Sequence, residues 1–248
     1  MKKTLKFEIQ YDGSSYYGWE HQPNRPTIQG KLEDSIEKLL NISKDSFTIV
    51  SAGRTDAGVH AKNMVASCEL DTDMPDDLIC KKLNTLLPSD IAILSVKTAS
   101  DRFHARYNAV GKTYEYSISD GEIKPIFNRK YITILDTHLD IVAMKEASKY
   151  MIGRLDFKSF CGNSHFKKST VRIVDKITIK REKGIIKIRF HGSGFLQNMV
   201  RIMTGTLIEV GLHKIAPLEV ENIIKAKDRK FAGPTAPAKG LTLIKVDY

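Results

Sequence analysis

The chain has 248 residues, 42% hydrophobic and 27% charged, a profile that excludes intrinsic disorder and leaves ample length for a real core. Its 39 Lys and Arg against 29 Asp and Glu give a formal charge of +10, so polyanions are the favoured partners, nucleic acid ahead of an anionic membrane. Three cysteines, Cys68, Cys80 and Cys161, are scattered without CxxC spacing, which excludes a disulfide framework and fits a cytoplasmic protein.

In chain order, Leu5, Phe7, Ile9 and Tyr11 alternate with polar residues and predict a strand over 4–11 with one buried face. The two lysines that open the chain precede no apolar core, so this segment reads as a strand and not as a signal peptide. Ile28, Leu32, Ile36, Leu39 and Leu40 then recur at helical spacing behind Thr27 as N-cap. Strands follow near 47–52, 64–70 and 91–97, and a helix from Pro75 to Leu87 is stopped by Pro88. Further on come a strand near 112–119, a helix near 138–151 ending at Gly153, and a basic hairpin turning at REKG. A largely apolar helix, Phe195–Val210, a short helix near 217–227 and a final strand, Leu241–Asp247, complete the order. Strands and helices interleave in both halves, which predicts two similar α+β units, 1–105 and 106–248. No apolar run is long enough to cross a bilayer, and no amphipathic basic helix marks a membrane surface.

The stretch SAGRTDAGVHA, Ser51–Ala61, sets Arg54, Thr55 and Asp56 between Gly53 and Gly58. Strand, turn and strand with Asp and Gly in the turn is ordinary hairpin chemistry. Two features point further. Small neighbours leave room for a bulky planar ligand to reach the Asp56 carboxylate, and Arg54 suits phosphate or base contacts better than turn-making. Downstream, Arg201 stands inside the apolar helix, where a guanidinium either snorkels to water or is matched by a carboxylate. Asp56 is the acid whose surroundings least resemble plain solvated surface, and an adjacent cation would hold it deprotonated as nucleophile or base.

Other motifs lead nowhere. VGKTYEYS ends like a phosphate-binding P-loop but has Arg106 where that loop requires glycine, and HGSGF lacks the third glycine of a dinucleotide site. The histidines are dispersed and no HExxH or paired CxxC occurs, so no metal is expected. Cys161 and His165 read as a buried small hydrophobe and a bystander.

Between His165 and His191 nine Lys and Arg face only Asp175 and Glu182. Lys167, Lys168 and Arg172 open this run, while Lys187 and Arg189 alternate with Ile186, Ile188 and Phe190, giving one cationic and one core-facing strand side. Arg102, Arg106 and Lys112 are interleaved with Phe103, Tyr107, Tyr114 and Tyr116, and cations beside rings are what RNA recognition needs, although Tyr116 reads as a packing residue.

GRTDAGVHA, in order with YDGSSYYGW, FHARYNAVGKTYEY, GFLQNMVRIMTGTL and GPTAPAKGLTL, resembles the motifs of the A-type tRNA pseudouridine synthases across nearly the whole chain. The resemblance implies an α+β pseudouridine synthase fold, two similar halves forming a continuous mixed, mainly antiparallel sheet flanked by helices. It also implies a homodimer that acts without a cofactor on uridines in the anticodon arm of tRNA, flipping the target base. By position, Asp56 matches the catalytic aspartate, Arg54 the arginine that helps expel the base, and Arg201 the salt-bridge partner of the aspartate. Tyr114 and Leu241 match the residues on the two sides of the uracil. Leu155 stands where the family commonly has His, and Glu20 where it has Gln.

Overall fold

A computed structural model describes residues 2–121 and 124–248. Two compact units emerge, Met1–Val110 with Leu243–Tyr248, and Gly111–Thr242.

The first unit is built from β1 (Lys2–Tyr11), α1 (Ile28–Leu40), β2 (Val50–Ser51), β3 (His60–Asp71), α2 (Asp76–Leu86) and β4 (Ile91–Thr98). β1 pairs antiparallel with both β3 and β4, and β2 pairs antiparallel with β3. The alternation read in the sequence is real: Leu5, Phe7 and Ile9 are fully buried. On α1, Thr27 accepts from the Gly30 N–H as expected of an N-cap, and Asn41 ends the helix in the left-handed conformation at φ 53°. Leu87 is extended, as a residue before proline must be, so α2 stops there.

The second unit contains β5 (Gly111–Ser119), β6 (Thr133–Ile134), α3 (Ile141–Lys149), β7 (Gly153–Asp156), β8 (Val171–Glu182), β9 (Ile185–Gly192), α4 (Met199–Gly211) and α5 (Glu219–Ala226). Its strands run in the order β5-β9-β8-β7, antiparallel throughout, with β6 parallel to β5. The last strand, β10 (Leu241–Asp247), begins in this unit, and from Leu243 onward it belongs to the first, beside β3. The architecture is thus α+β, mixed and mainly antiparallel, with helices on the sheet. Lys183 and Gly184, at φ 51° and 78°, make the two-residue turn between β8 and β9, where glycine tolerates the positive φ.

One element begins later than the sequence suggests. Apolar periodicity extends α4 back to Phe195, but Asn198 is left-handed at φ 57° and the helix starts at Met199. Ahead of the helix, Leu196 is buried and the half-buried Phe195 packs on Tyr114, so their apolar character reflects packing and not helical phase. Arg201 therefore lies in the first turn of α4 rather than in its middle, while the helix beyond is buried on nearly every side.

Candidate active site

In the first unit, the connection from β2 to β3 carries Arg54, Thr55 and Asp56. Its backbone is held from several sides: Trp19 N–H donates to Thr55 O at 3.1 Å, Gly58 N–H to Tyr16 O at 3.3 Å and Val59 N–H to Asp56 O at 3.1 Å. The Thr55 hydroxyl is buried against the Tyr11 hydroxyl at 2.8 Å. Segment 13–19 presses so closely that a Cβ on Gly18 would lie 2.6 Å from Thr55 O, and one on Gly13 2.0 Å from Val59 O. Gly18 also sits at φ +96°, a second reason no side chain is tolerated there. At the foot of the loop His60 Nδ1 lies 3.0 Å from Gly13 N and 3.1 Å from the Asp12 carboxylate. Within this frame Asp56 is half-buried, and Arg54 points out, its side chain 64% exposed with Glu20 at 4.0 Å. The loop thus presents a carboxylate on an immobilised backbone beside an extended cation.

In the second unit, Tyr114 on β5 is buried and meets Phe195 edge to face, ring centroids 5.3 Å apart. Leu241, at the start of β10, is buried as well. Arg201 donates from Nε to Ala236 O at 2.8 Å and from Nη1 to Asn198 Oδ1 at 2.9 Å, while Ala236 N–H donates to Arg201 O. The guanidinium is thereby oriented by the segment that leads to Leu241. That segment crosses α4 at small residues: a Cβ on Gly205 would lie 1.7 Å from Pro234 O. Tyr116 secures its other end. Its hydroxyl lies 2.7 Å from Pro237 O and 2.6 Å from Thr133 Oγ1. A carbonyl only accepts, so Tyr116 donates to Pro237 and Thr133 donates to Tyr116. Burial pushes the Tyr116 hydroxyl up to about 12, which keeps it a donor. Gly240 lies flat on the same ring, with a would-be Cβ 2.5 Å from it.

The expected RNA contacts divide in two. Arg102, Arg106, Lys167 and Lys168 are exposed, and Tyr107, 79% exposed, stacks on His104 at 4.1 Å. On β9 the alternation holds, with Ile186, Ile188 and Phe190 buried and Arg189 outward. Two of these cations are already matched, Lys187 with Glu182 at 3.0 Å and Arg189 with Glu115 at 2.5 Å. Arg172 donates to Ser169 O and Val171 O, and burial lowers its pKa from the ordinary value. Lys112 lies half-buried on β5. Among the described residues no group of three or more His, Cys, Asp or Glu is placed to hold a metal ion, and no helix is long and apolar enough to cross a membrane.

Phe195, Asn198 and Tyr116 were not singled out by sequence as site-building residues. Phe195 and Tyr116 act through partners distant in sequence, and only the spacing of Asn198 and Arg201, three residues apart at a helix start, offered a local signal.

The model of the tRNA pseudouridine synthase family matches residues 9–108 and 147–248. The chain is 42% identical over 246 residues to tRNA pseudouridine synthase A of Clostridium kluyveri, covering 99% of this chain and 100% of that one. It is 41% identical over 244 residues to tRNA pseudouridine synthase A of Bacillus subtilis, covering 98% of each, and 40% identical over 246 residues to that of Caldicellulosiruptor bescii. The chain belongs to the tRNA pseudouridine synthase family, a class of isomerases.

Proposed function

We propose that this protein isomerises uridine to pseudouridine in the anticodon stem-loop of tRNA, with the Asp56 carboxylate as its catalytic group. The observation that carries this reading is the Asp56 loop, whose backbone is fastened on several sides and which sets a half-buried carboxylate two residues from the outward Arg54.

The reaction breaks the bond from ribose C1′ to N1, rotates the uracil, and forms the bond from C1′ to C5. C5 gives up its proton and N1 gains one, so the product is an isomer and no cofactor is needed. A carboxylate cannot reach the nucleoside inside a paired stem, so the base is flipped out, at about a few kcal/mol. Tyr114 and Leu241 take the two faces of the uracil and offset that cost. Arg54 fills the vacated space, and Arg201 supplies the positive charge that keeps the carboxylate ionised. Attack at C1′, attack on the ring and proton abstraction at C2′ all satisfy the same balance. Arg102, Arg106, Lys112, Lys167, Lys168, Arg172, Lys187 and Arg189 hold phosphates. The protein works as a homodimer in the cytoplasm.

Unmodified tRNA tritiated at uracil C5 tests the reading. The wild-type chain releases tritium to water, and Asp56→Asn lowers the rate at least about a thousandfold, about 4 kcal/mol of barrier. Free uracil would mark a glycosidic hydrolase instead, and no release from any unmodified tRNA would leave only an RNA-binding protein.

A further inference from the structure

The second unit carries a basic aromatic projection that the site does not use. Residues 124–131, KPIFNRKY, connect β5 to β6 and contain Lys124, Arg129 and Lys130, and no acid occurs from Lys124 through Leu135. Phe127 stands at the tip, 96% exposed, flanked by Ile126 at 58% and Tyr131 at 41%. A single apolar side chain on a surface needs no explanation, but three in one short connection among three cations do.

The tip is a built structure. Ile126 N–H donates to Lys124 O at 2.9 Å, Asn128 N–H to Pro125 O at 3.1 Å and Tyr131 N–H to Asn128 O at 2.9 Å. The Arg129 guanidinium closes back on Ile126 O at 2.8 Å. Successive turns therefore hold the backbone, and the phenyl ring is pushed outward instead of folding onto its own loop. Behind the tip, Ile132 and Thr133 are buried, and Thr133 joins the hydroxyl chain through Tyr116 to Pro237, four residues before Leu241. The projection is thus rooted in the same framework that positions Leu241.

Charge identifies the occupant. The outward cations of β9, Lys187 and Arg189, already have carboxylate partners, whereas among the described residues no carboxylate pairs with Lys124, Arg129 or Lys130. Uncompensated cations around an open ring suit a polyanion that also offers a flat face. In RNA only an unpaired nucleotide does so, because paired bases are covered on both sides.

We propose that residues 124–131 form a second RNA contact, with Phe127 stacking on an unpaired nucleotide of the substrate and Lys124 and Lys130 engaging the flanking phosphates. The proposal rests on tRNA being the substrate, as argued above. It adds a contact outside the reacting nucleotide, one that sets affinity rather than the rate of rearrangement.

The test compares the wild-type chain with Phe127→Ala, Phe127→Trp and the double variant Lys124→Ala/Lys130→Ala. Each is assayed for binding of a fluorescein-labelled unmodified tRNA transcript across a salt series and for pseudouridine formation at saturating tRNA. Phe127→Ala is expected to weaken binding about tenfold, the effect of removing one base-stacking ring, with the saturated rate kept within about twofold. Phe127→Trp restores binding. The double variant lowers the slope of log affinity against log salt by about 2, one for each lost phosphate contact. Unchanged affinity in Phe127→Ala overturns the proposal, as does a variant that sediments as a smaller species at unaltered affinity, which would assign the ring to a contact between copies. A wild-type chain that binds tRNA yet forms no pseudouridine would defeat the catalytic reading alone, and the affinity comparison would still decide this one.

Discussion

Thr55 shows how much of the site rests on one hydroxyl. Its carbonyl receives Trp19 N–H and its side chain meets the Tyr11 hydroxyl, so the residue before Asp56 is fixed at both ends. Thr55→Val keeps the shape and removes that side-chain bond, at about 1–3 kcal/mol for a buried pair. The expected result is a kcat lowered about tenfold with KM nearly unchanged, and a thermal midpoint lower by a few degrees. An equal rise in KM with kcat preserved would mean that the bond orders substrate binding instead. Asp56 and Arg54 stand out in the sequence as candidates because their signal is local: charged residues set among small ones in a turn. Phe195 does not, because its apolar character fits a helical stripe equally well, and the left-handed Asn198 that takes it out of the helix leaves no mark in hydropathy.

At the scale of elements, the decisive contact is the crossing of α4 by residues 233–240. Gly205 faces Pro234 O so closely that an added methyl must displace backbone. Gly233 approaches Thr206 from the other side, donating to its hydroxyl at 2.9 Å. Gly205→Ala is therefore expected to lift the segment that orients Arg201 through Ala236, costing about 1–3 kcal/mol in chemical denaturation and lowering kcat by at least about tenfold. A variant that loses stability but keeps kcat would show that the crossing serves packing alone. Tyr116→Phe probes the far end more gently, since it leaves the ring against Gly240 and removes the donor to Pro237 O together with the acceptor for the Thr133 hydroxyl. A severalfold loss of kcat, without loss of tRNA affinity, is expected. Long elements with a clear period, such as β1, α1 and β10, could be read from the sequence because burial imposes their pattern. β6 and β7, two and four residues long, could not, since so few positions carry no period. Nor does any local pattern reveal that the chain from Leu243 onward returns to the first unit.

Across the whole molecule, a formal charge of +10 suits a polyanionic partner but makes the fold sensitive to acid, because protonating carboxylates adds to an existing positive excess. Several carboxylates already favour the ionised form when folded. Burial pushes Asp120 up, but the Arg181 guanidinium and the Leu139 N–H outweigh it and hold the carboxyl below its ordinary value. Asp76 in the first unit, with Thr98 and Lys3, and Asp156 in the second, with Thr170 and Lys227, are depressed in the same way against their own burial. A carboxyl whose folded pKa lies below its unfolded value, about 3.9 for Asp, stabilises the fold fully above that value. The contribution is lost as pH falls through the folded pKa. Urea denaturation followed by circular dichroism should give a stability plateau from about pH 5 to pH 8 that declines below about pH 4. Asp120→Asn leaves Arg181 without its buried partner and should be less stable than the wild type by about 3 kcal/mol at neutral pH. That gap must close in acid, where Asp120 is protonated in both folded and unfolded chains and the two proteins differ by little more than an amide. A gap of constant size from pH 7 down to pH 3 would show that the ion pair contributes packing but not charge.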